Sequence, residues 1–132
     1  MEIRDLQKEC WRVAKEVGWH DQGKDKTPLE YHMLMVSEVV EASEEVRKGM
    51  PPIYKNYKMD SYTDEEIILP SNVEFNEFFE SNKPEGEAIE LADVVIRIAD
   101  YFEHRGWSLE DALKLKMKYN RSREYRHGNK KY

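Results

Sequence analysis

The chain carries a single cysteine, Cys10, among its 132 residues. One thiol excludes an intramolecular disulfide framework and suits a reducing compartment. Cys10 sits within an amphipathic helical pattern, where a small core residue is expected rather than a nucleophile. No apolar run approaches the roughly 18 residues that a membrane-spanning helix needs. The charged opening MEIRDLQKE does not read as a secretory signal. The expectation is a soluble, cytoplasmic protein with no membrane partner. Internal repeats and low-complexity tracts are missing, and strand signals are nearly absent. The fold class read from these absences is all-α. With 39% hydrophobic and 36% charged residues, the chain is expected to form one domain, residues 1–132, with a modest core and a heavily charged surface.

What is present is helical periodicity. Ile3, Leu6, Cys10, Val13, Ala14 and Val17 recur at helical spacing until Gly18 ends the run. Thr27-Pro28-Leu29-Glu30 is a capping box with proline at the first helical position, and the helix it opens is expected to reach about Lys48. Gly49 and the pair Pro51-Pro52 stop it. Residues 50–82 break the pattern and read as an irregular insertion, with a short helix expected near 72–80. A third helix is expected over about 85–105, ending at Gly106. Ser108 caps a fourth that runs to about Arg123. Four to five helices with one long connection suggest a small bundle. Apolar helix faces this long in a chain this short predict self-association, as a homodimer or homotetramer.

The third helix poses the central question. In EAIELADVVIRIAD, residues 87–100, Glu90, Asp93, Arg97 and Asp100 form one narrow stripe between flanks apolar enough to predict burial. The second helix repeats the pattern: Glu38, Glu41 and Glu45 share a face with Leu34, among Met33, Val36, Val39, Val40 and Val46. A three-residue step rises roughly 4.5 Å, so each Glu-x-x-Glu or Glu-x-x-Asp pair aims two carboxylates at one neighbour. If the helices face each other antiparallel, Glu38, Glu41, Glu90 and Asp93 converge. Four partly buried carboxylates require a counter-charge, and a hard divalent cation with oxygen ligands supplies one. Arg97, at i+4 from Asp93 and i+7 from Glu90, supplies another, which would make the cluster purely structural. The all-oxygen set favours Mg²⁺ or Mn²⁺. A di-iron site would want two Glu-x-x-His pairs, and the only one is Glu124 with His127.

Net charge is −6, unevenly spread. From residue 114 onward there are eight Lys or Arg against one acid, Glu124, while the preceding 113 residues hold 13 bases and 26 acids. Lys116, Asn120 and Arg123 share a helix face, followed by Arg126, His127 and Lys130 in a basic tail over 124–132. Such donors suit phosphate oxygens or another anion. Nucleic acid is disfavoured as a partner, because the body is acidic and the basic patch short.

With these features assembled, the chain resembles the MazG-like, all-α nucleoside triphosphate pyrophosphohydrolases, relatives of the dimeric dUTPases. The resemblance rests on SEVVEASEEV (37–46), ELADVVIRIADY (90–101) and KMKYNRSREYRHGNK (116–130). It spans most of the chain except 50–82, which lengthens the connection between helices two and three. The tail has Glu124 where related sequences often carry proline, and Asn129 where they carry glycine. The resemblance implies hydrolysis of an NTP or dNTP to the monophosphate and pyrophosphate. It implies Mg²⁺ held by Glu38, Glu41, Glu90 and Asp93, with Glu41, and Glu38 beside it, in the catalytic role of orienting the attacking water. Lys116, Asn120, Arg123 and Arg126 would balance triphosphate charge, and Trp11, Trp19 and His20 would form the base pocket. Arg97 and Asp100 would support the ligands from behind. The alternative is a non-catalytic helical dimerisation module with the same fold.

Overall fold

The computed structural model describes residues 1–21, 25–56 and 83–123. The helix expected near 72–80 and the basic tail, including Arg126, lie outside these residues. Four helices account for most of the described chain: α1 (Ile3–Glu16), α2 (Pro28–Arg47), α3 (Glu87–Arg105) and α4 (Leu109–Ser122). The all-α expectation therefore holds for the described residues, with one addition. Two three-residue strands, β1 (Tyr54–Asn56) and β2 (Lys83–Glu85), pair antiparallel with Tyr54 opposite Glu85. No strand was expected here, since Lys-Pro-Glu is a poor strand former. In a two-stranded ribbon every strand is an edge, which is where proline is tolerated. Pairing also delays the third helix, which begins at Glu87 rather than near 85.

The chain falls into two compact units, residues 1–24 with 99–132 and residues 25–98. In the first unit, α1 buries Gln7, Cys10 and Ala14 and leaves Val13 and Val17 exposed. This face is rotated from the expected stripe, and Gln7 is the reason. Its Nε2 donates to Glu103 Oε2 and to the carbonyl of Trp107, both at 2.7 Å, and its Oε1 accepts from the Leu109 backbone N–H at 2.9 Å. One buried amide thereby satisfies three groups around the turn from α3 to α4, offsetting its own desolvation. Ser108 Oγ accepts from Asp111 N at 3.1 Å, the expected cap of α4. Trp107 meets Tyr101 and Phe102 edge-on, with centroids 5.7 and 5.6 Å apart.

In the second unit, Thr27 Oγ1 accepts from Glu30 N at 3.2 Å, with Pro28 opening α2 as expected. Tyr54, 1% exposed, donates its hydroxyl to buried Glu45 Oε2 at 2.7 Å, tying β1 to the end of α2. The start of α3 is set by a backbone approach. Gly86 adopts φ +118°, and a Cβ placed there would lie 2.2 Å from the Pro52 carbonyl oxygen. That same oxygen accepts from Ala88 N at 3.0 Å, satisfying one of the orphan donors of the helix start. Only glycine combines this torsion with this proximity.

Gly86→Ala is therefore expected to cost about 2–4 kcal/mol of stability, combining torsional strain with a backbone clash. Gly49→Ala, where φ is +70° but nothing lies within 4 Å of the added Cβ, is expected to cost about 1 kcal/mol. Urea denaturation of the two variants checks the ranking, and equal losses would remove the clash from the account.

Candidate metal centre

α2 and α3 each carry two carboxylates on one face, and the second unit brings them together. Glu38, Glu90 and Asp93 each place a carboxylate oxygen within 4.8 Å of the others. Glu38 is buried, and Glu90 and Asp93 are half-buried. Glu41, one turn beyond Glu38, is exposed and stands outside that triad, though near enough to Glu38 and Glu90 to perturb their proton affinities. Of the four acids expected to converge, Glu38, Glu90 and Asp93 form a compact donor set, and Glu41 is not part of it.

Among the described residues, the guanidinium that pairs with this cluster is that of Arg97. Arg97 Nε donates to Glu38 Oε1 at 2.7 Å, across from α3 to α2. That bond crosses to the other helix, and the Arg97 charge also acts on Asp93. The consequence shows in proton affinities. Burial pushes Glu38 up, but the Arg97 hydrogen bond, the donors from Glu41 and Glu90 and the charge of Arg97 outweigh it, leaving Glu38 below its ordinary value. Glu90 behaves oppositely. Burial, its hydrogen bond to Glu41 and the charges of Glu41, Asp93 and Glu38 push its carboxyl up to about 7. Glu41 is raised chiefly by donating to Glu38, and Asp93 by burial and the Glu38 charge. The cluster thus pairs a Glu38 whose charge Arg97 favours with neighbours whose proton affinities are raised, because burial and like charge disfavour ionising all of them together.

The donor set suits a hard divalent cation. All ligands are carboxylate oxygens, the donors of Mg²⁺ and Mn²⁺ sites, with neither sulfur nor imidazole in the group. Octahedral coordination at about 2.1 Å places ligand oxygens roughly 3–4.2 Å apart, close to the observed spread.

The remaining expected residues belong to the first unit. His20 is almost fully buried, its Nε2 2.6 Å from Asp100 Oδ1, and its ring stacks on His104 at 4.3 Å and on Trp11 at 6.1 Å. Asp100 is thus engaged with His20. Trp11 Nε1 is buried and lacks a hydrogen-bond partner among the described residues. Trp19 is 47% exposed. Lys116 and Asn120 are exposed on α4, and Lys116 and Arg123 both lie against the Tyr119 ring, at 5.0 and 5.5 Å. His104 escaped the sequence reading. Its i+4 spacing from Asp100 was the available signal.

Comparison with known protein families, curated proteins and solved structures returns no match to this chain.

The raised carboxyls predict the direction of a pH dependence. Glu90 keeps its proton up to about pH 7 in the folded, cation-free chain, against an ordinary value of 4.5. Between those values the folded state holds more protons than the unfolded one, so stability from this group falls as pH rises. Asp93 and Glu41 act in the same direction. Glu90→Gln is expected to flatten the slope of unfolding free energy over pH 4.5–7, and saturating Mn²⁺ to reverse it. Urea denaturation across that range checks both, and a wild-type slope rising with pH without cation would contradict the coupling.

Proposed function

We propose that the chain is a divalent-cation-dependent nucleoside triphosphate pyrophosphohydrolase of the MazG-like, all-α bundle type, converting an NTP or dNTP to the monophosphate and pyrophosphate in nucleotide-pool house-cleaning. The observation that carries this reading is the meeting of Glu38, Glu90 and Asp93, from two sequence motifs 52 residues apart. A purely solvated acidic surface has no reason to half-bury three carboxylates against one another.

In this reading Glu38, Glu90 and Asp93 hold Mg²⁺ or Mn²⁺, with Glu41 contributing from the edge of the set. The cation supplies Lewis acidity toward phosphate oxygens and water when bound. Glu38, kept ionised by Arg97, is the constant ligand. Glu41, more exposed and outside the tight triad, is placed to orient a water and take its proton. The water oxygen bonds to the α-phosphorus in line as the bond to the bridging oxygen breaks, releasing pyrophosphate. Lys116, Asn120, Arg123 and Arg126 balance the triphosphate charge in the same reading, and Trp11, Trp19 and His20 surround the base. The burial of His20 against Asp100 favours a packing role in that pocket, while the unsatisfied Trp11 Nε1 is the donor suited to a base acceptor. The second reading, a non-catalytic interaction module, is favoured by the apolar residues that α2 leaves exposed.

The test is pyrophosphate release from a panel of NTPs and dNTPs with Mg²⁺. At least one nucleotide should be turned over, and Glu41→Gln should lower kcat by about 10²–10⁴-fold with folding intact by circular dichroism. No turnover of any nucleotide, or an unaffected Glu41→Gln variant, overturns the hydrolase reading and leaves the interaction module.

A further inference from the structure

The donors that α4 offers to phosphate belong to the first unit, whereas the carboxylates belong to the second. The second unit carries a lysine of its own, and the ribbon positions it. In an antiparallel pair, residues directly opposite each other lie on one face, as do residues two apart along a strand. Tyr54 lies opposite Glu85, and Lys83 comes two residues before Glu85. Tyr54, Glu85 and Lys83 therefore share a face of the ribbon. That face is the inner one, because Tyr54 is 1% exposed and its hydroxyl donates to Glu45 on α2. Glu85 is largely covered, with 16% of its side chain exposed, and Lys83 stands at the open end of the same face with 69% exposed.

Three observations set Lys83 apart from an ordinary surface charge. Its partner holds it loosely: Nζ is 3.6 Å from Glu85 Oε1, inside ion-pair range and beyond a hydrogen bond. Such a contact ties down little of a long flexible side chain. Second, β2 passes through Gly86 directly into α3, whose first turns carry Glu90 and Asp93. Third, the Lys83 charge acts on Asp93, opposing the burial and the Glu38 charge that raise its proton affinity. Other cations of the unit are engaged elsewhere, Arg97 with Glu38, Arg47 with Glu44 and Lys26 over the Tyr31 ring. With the four carboxylates ionised, a divalent cation and Arg97 still leave the site short of positive charge, and a polyphosphate adds more negative charge to it.

We propose that Lys83 is a phosphate-contacting residue of this site, its ammonium leaving Glu85 to donate to a non-bridging oxygen of a di- or triphosphate. The inference rests on the hydrolase reading and adds to it a donor from outside both carboxylate helices. Lysine suits the task as a compact charge with three donors on a flexible stem. Attack at the α-phosphorus builds charge on the departing pyrophosphate, and a donor there stabilises the transition state. Glu85 is the resting partner that the phosphate displaces.

The test uses inorganic pyrophosphate, so that binding is read without turnover. The full chain is titrated calorimetrically with Mn²⁺ alone, then with pyrophosphate at saturating Mn²⁺. Lys83→Gln is expected to keep Mn²⁺ affinity within about twofold, as for loss of an exposed charge. The same variant is expected to weaken pyrophosphate about 10-fold or more, the usual effect of one hydrogen bond to a charged group. Lys83→Arg keeps the charge and is expected to recover most of that affinity. Glu85→Gln removes the competing carboxylate and is expected to tighten pyrophosphate about two- to fivefold. Circular dichroism should show the same helicity in all of them. Pyrophosphate affinity unchanged by Lys83→Gln would overturn the proposal and leave the hydrolase reading standing. Equal losses of Mn²⁺ and pyrophosphate, or matching losses in Lys83→Gln and Glu85→Gln, would overturn it in favour of a structural ion pair. A wild type that takes no Mn²⁺ would overturn the proposal and the cation site together.

Discussion

The interaction on which the second unit depends is the hydrogen bond from Arg97 to Glu38. Four carboxylates from two helices lie close enough to perturb one another, and a single guanidinium stands against them. Arg97 does not neutralise the cluster; it fixes which member stays ionised. With the Glu38 charge favoured, burial and repulsion raise the proton affinity of its neighbours, and Glu90 is pushed up to about 7. If the site takes a divalent cation, as proposed, proton and cation would compete for one set of oxygens, which would link pH, cation and stability.

The rest of the unit serves this meeting. Gly86 lets α3 start against the Pro52 carbonyl, and Tyr54 ties the end of α2 to the ribbon through Glu45. Polar groups perform the same work in the first unit, where Gln7 closes the turn before α4 and Asp100 holds His20. Among the described residues the buried core mixes small side chains, Ala14, Ala42 and Ala99, with large ones, Tyr31, Tyr54, Tyr101 and Leu109. Specific buried hydrogen bonds add positioning to that packing. α3 passes through both units, and its acids take different roles along its length: Asp93 joins other carboxylates, and Asp100, two turns later, joins an imidazole.

Much of this was legible from residue order. Helix limits followed from Thr27, Pro28, Gly49, Gly106 and Ser108, because caps and stops act locally. The pairing of Glu38 with Glu90 and Asp93 followed from two stripes of matching spacing. Other features depended on contacts between residues distant in sequence, which periodicity does not encode. The ribbon is one, since neither of its strands has strand propensity alone. Gln7 is another, a polar residue at a core position that only its partners near residues 103–109 explain. The flanks of α3 read as buried by their apolarity, yet Leu91, Val95 and Ile96 are 44, 49 and 39% exposed. Apolarity marks a surface to be covered and does not say by which chain.

The central claim is that Glu38, Glu90, Asp93 and Glu41 act as one coupled site for a divalent cation. Its most direct test is calorimetric titration of the metal-free protein with Mn²⁺ near pH 6.5, repeated in buffers of different ionisation enthalpy. The coupling predicts saturable binding that releases about one proton per cation, with release declining above pH 8 as Glu90 ionises unaided. Absence of binding, or binding whose heat is the same in every buffer, would contradict it.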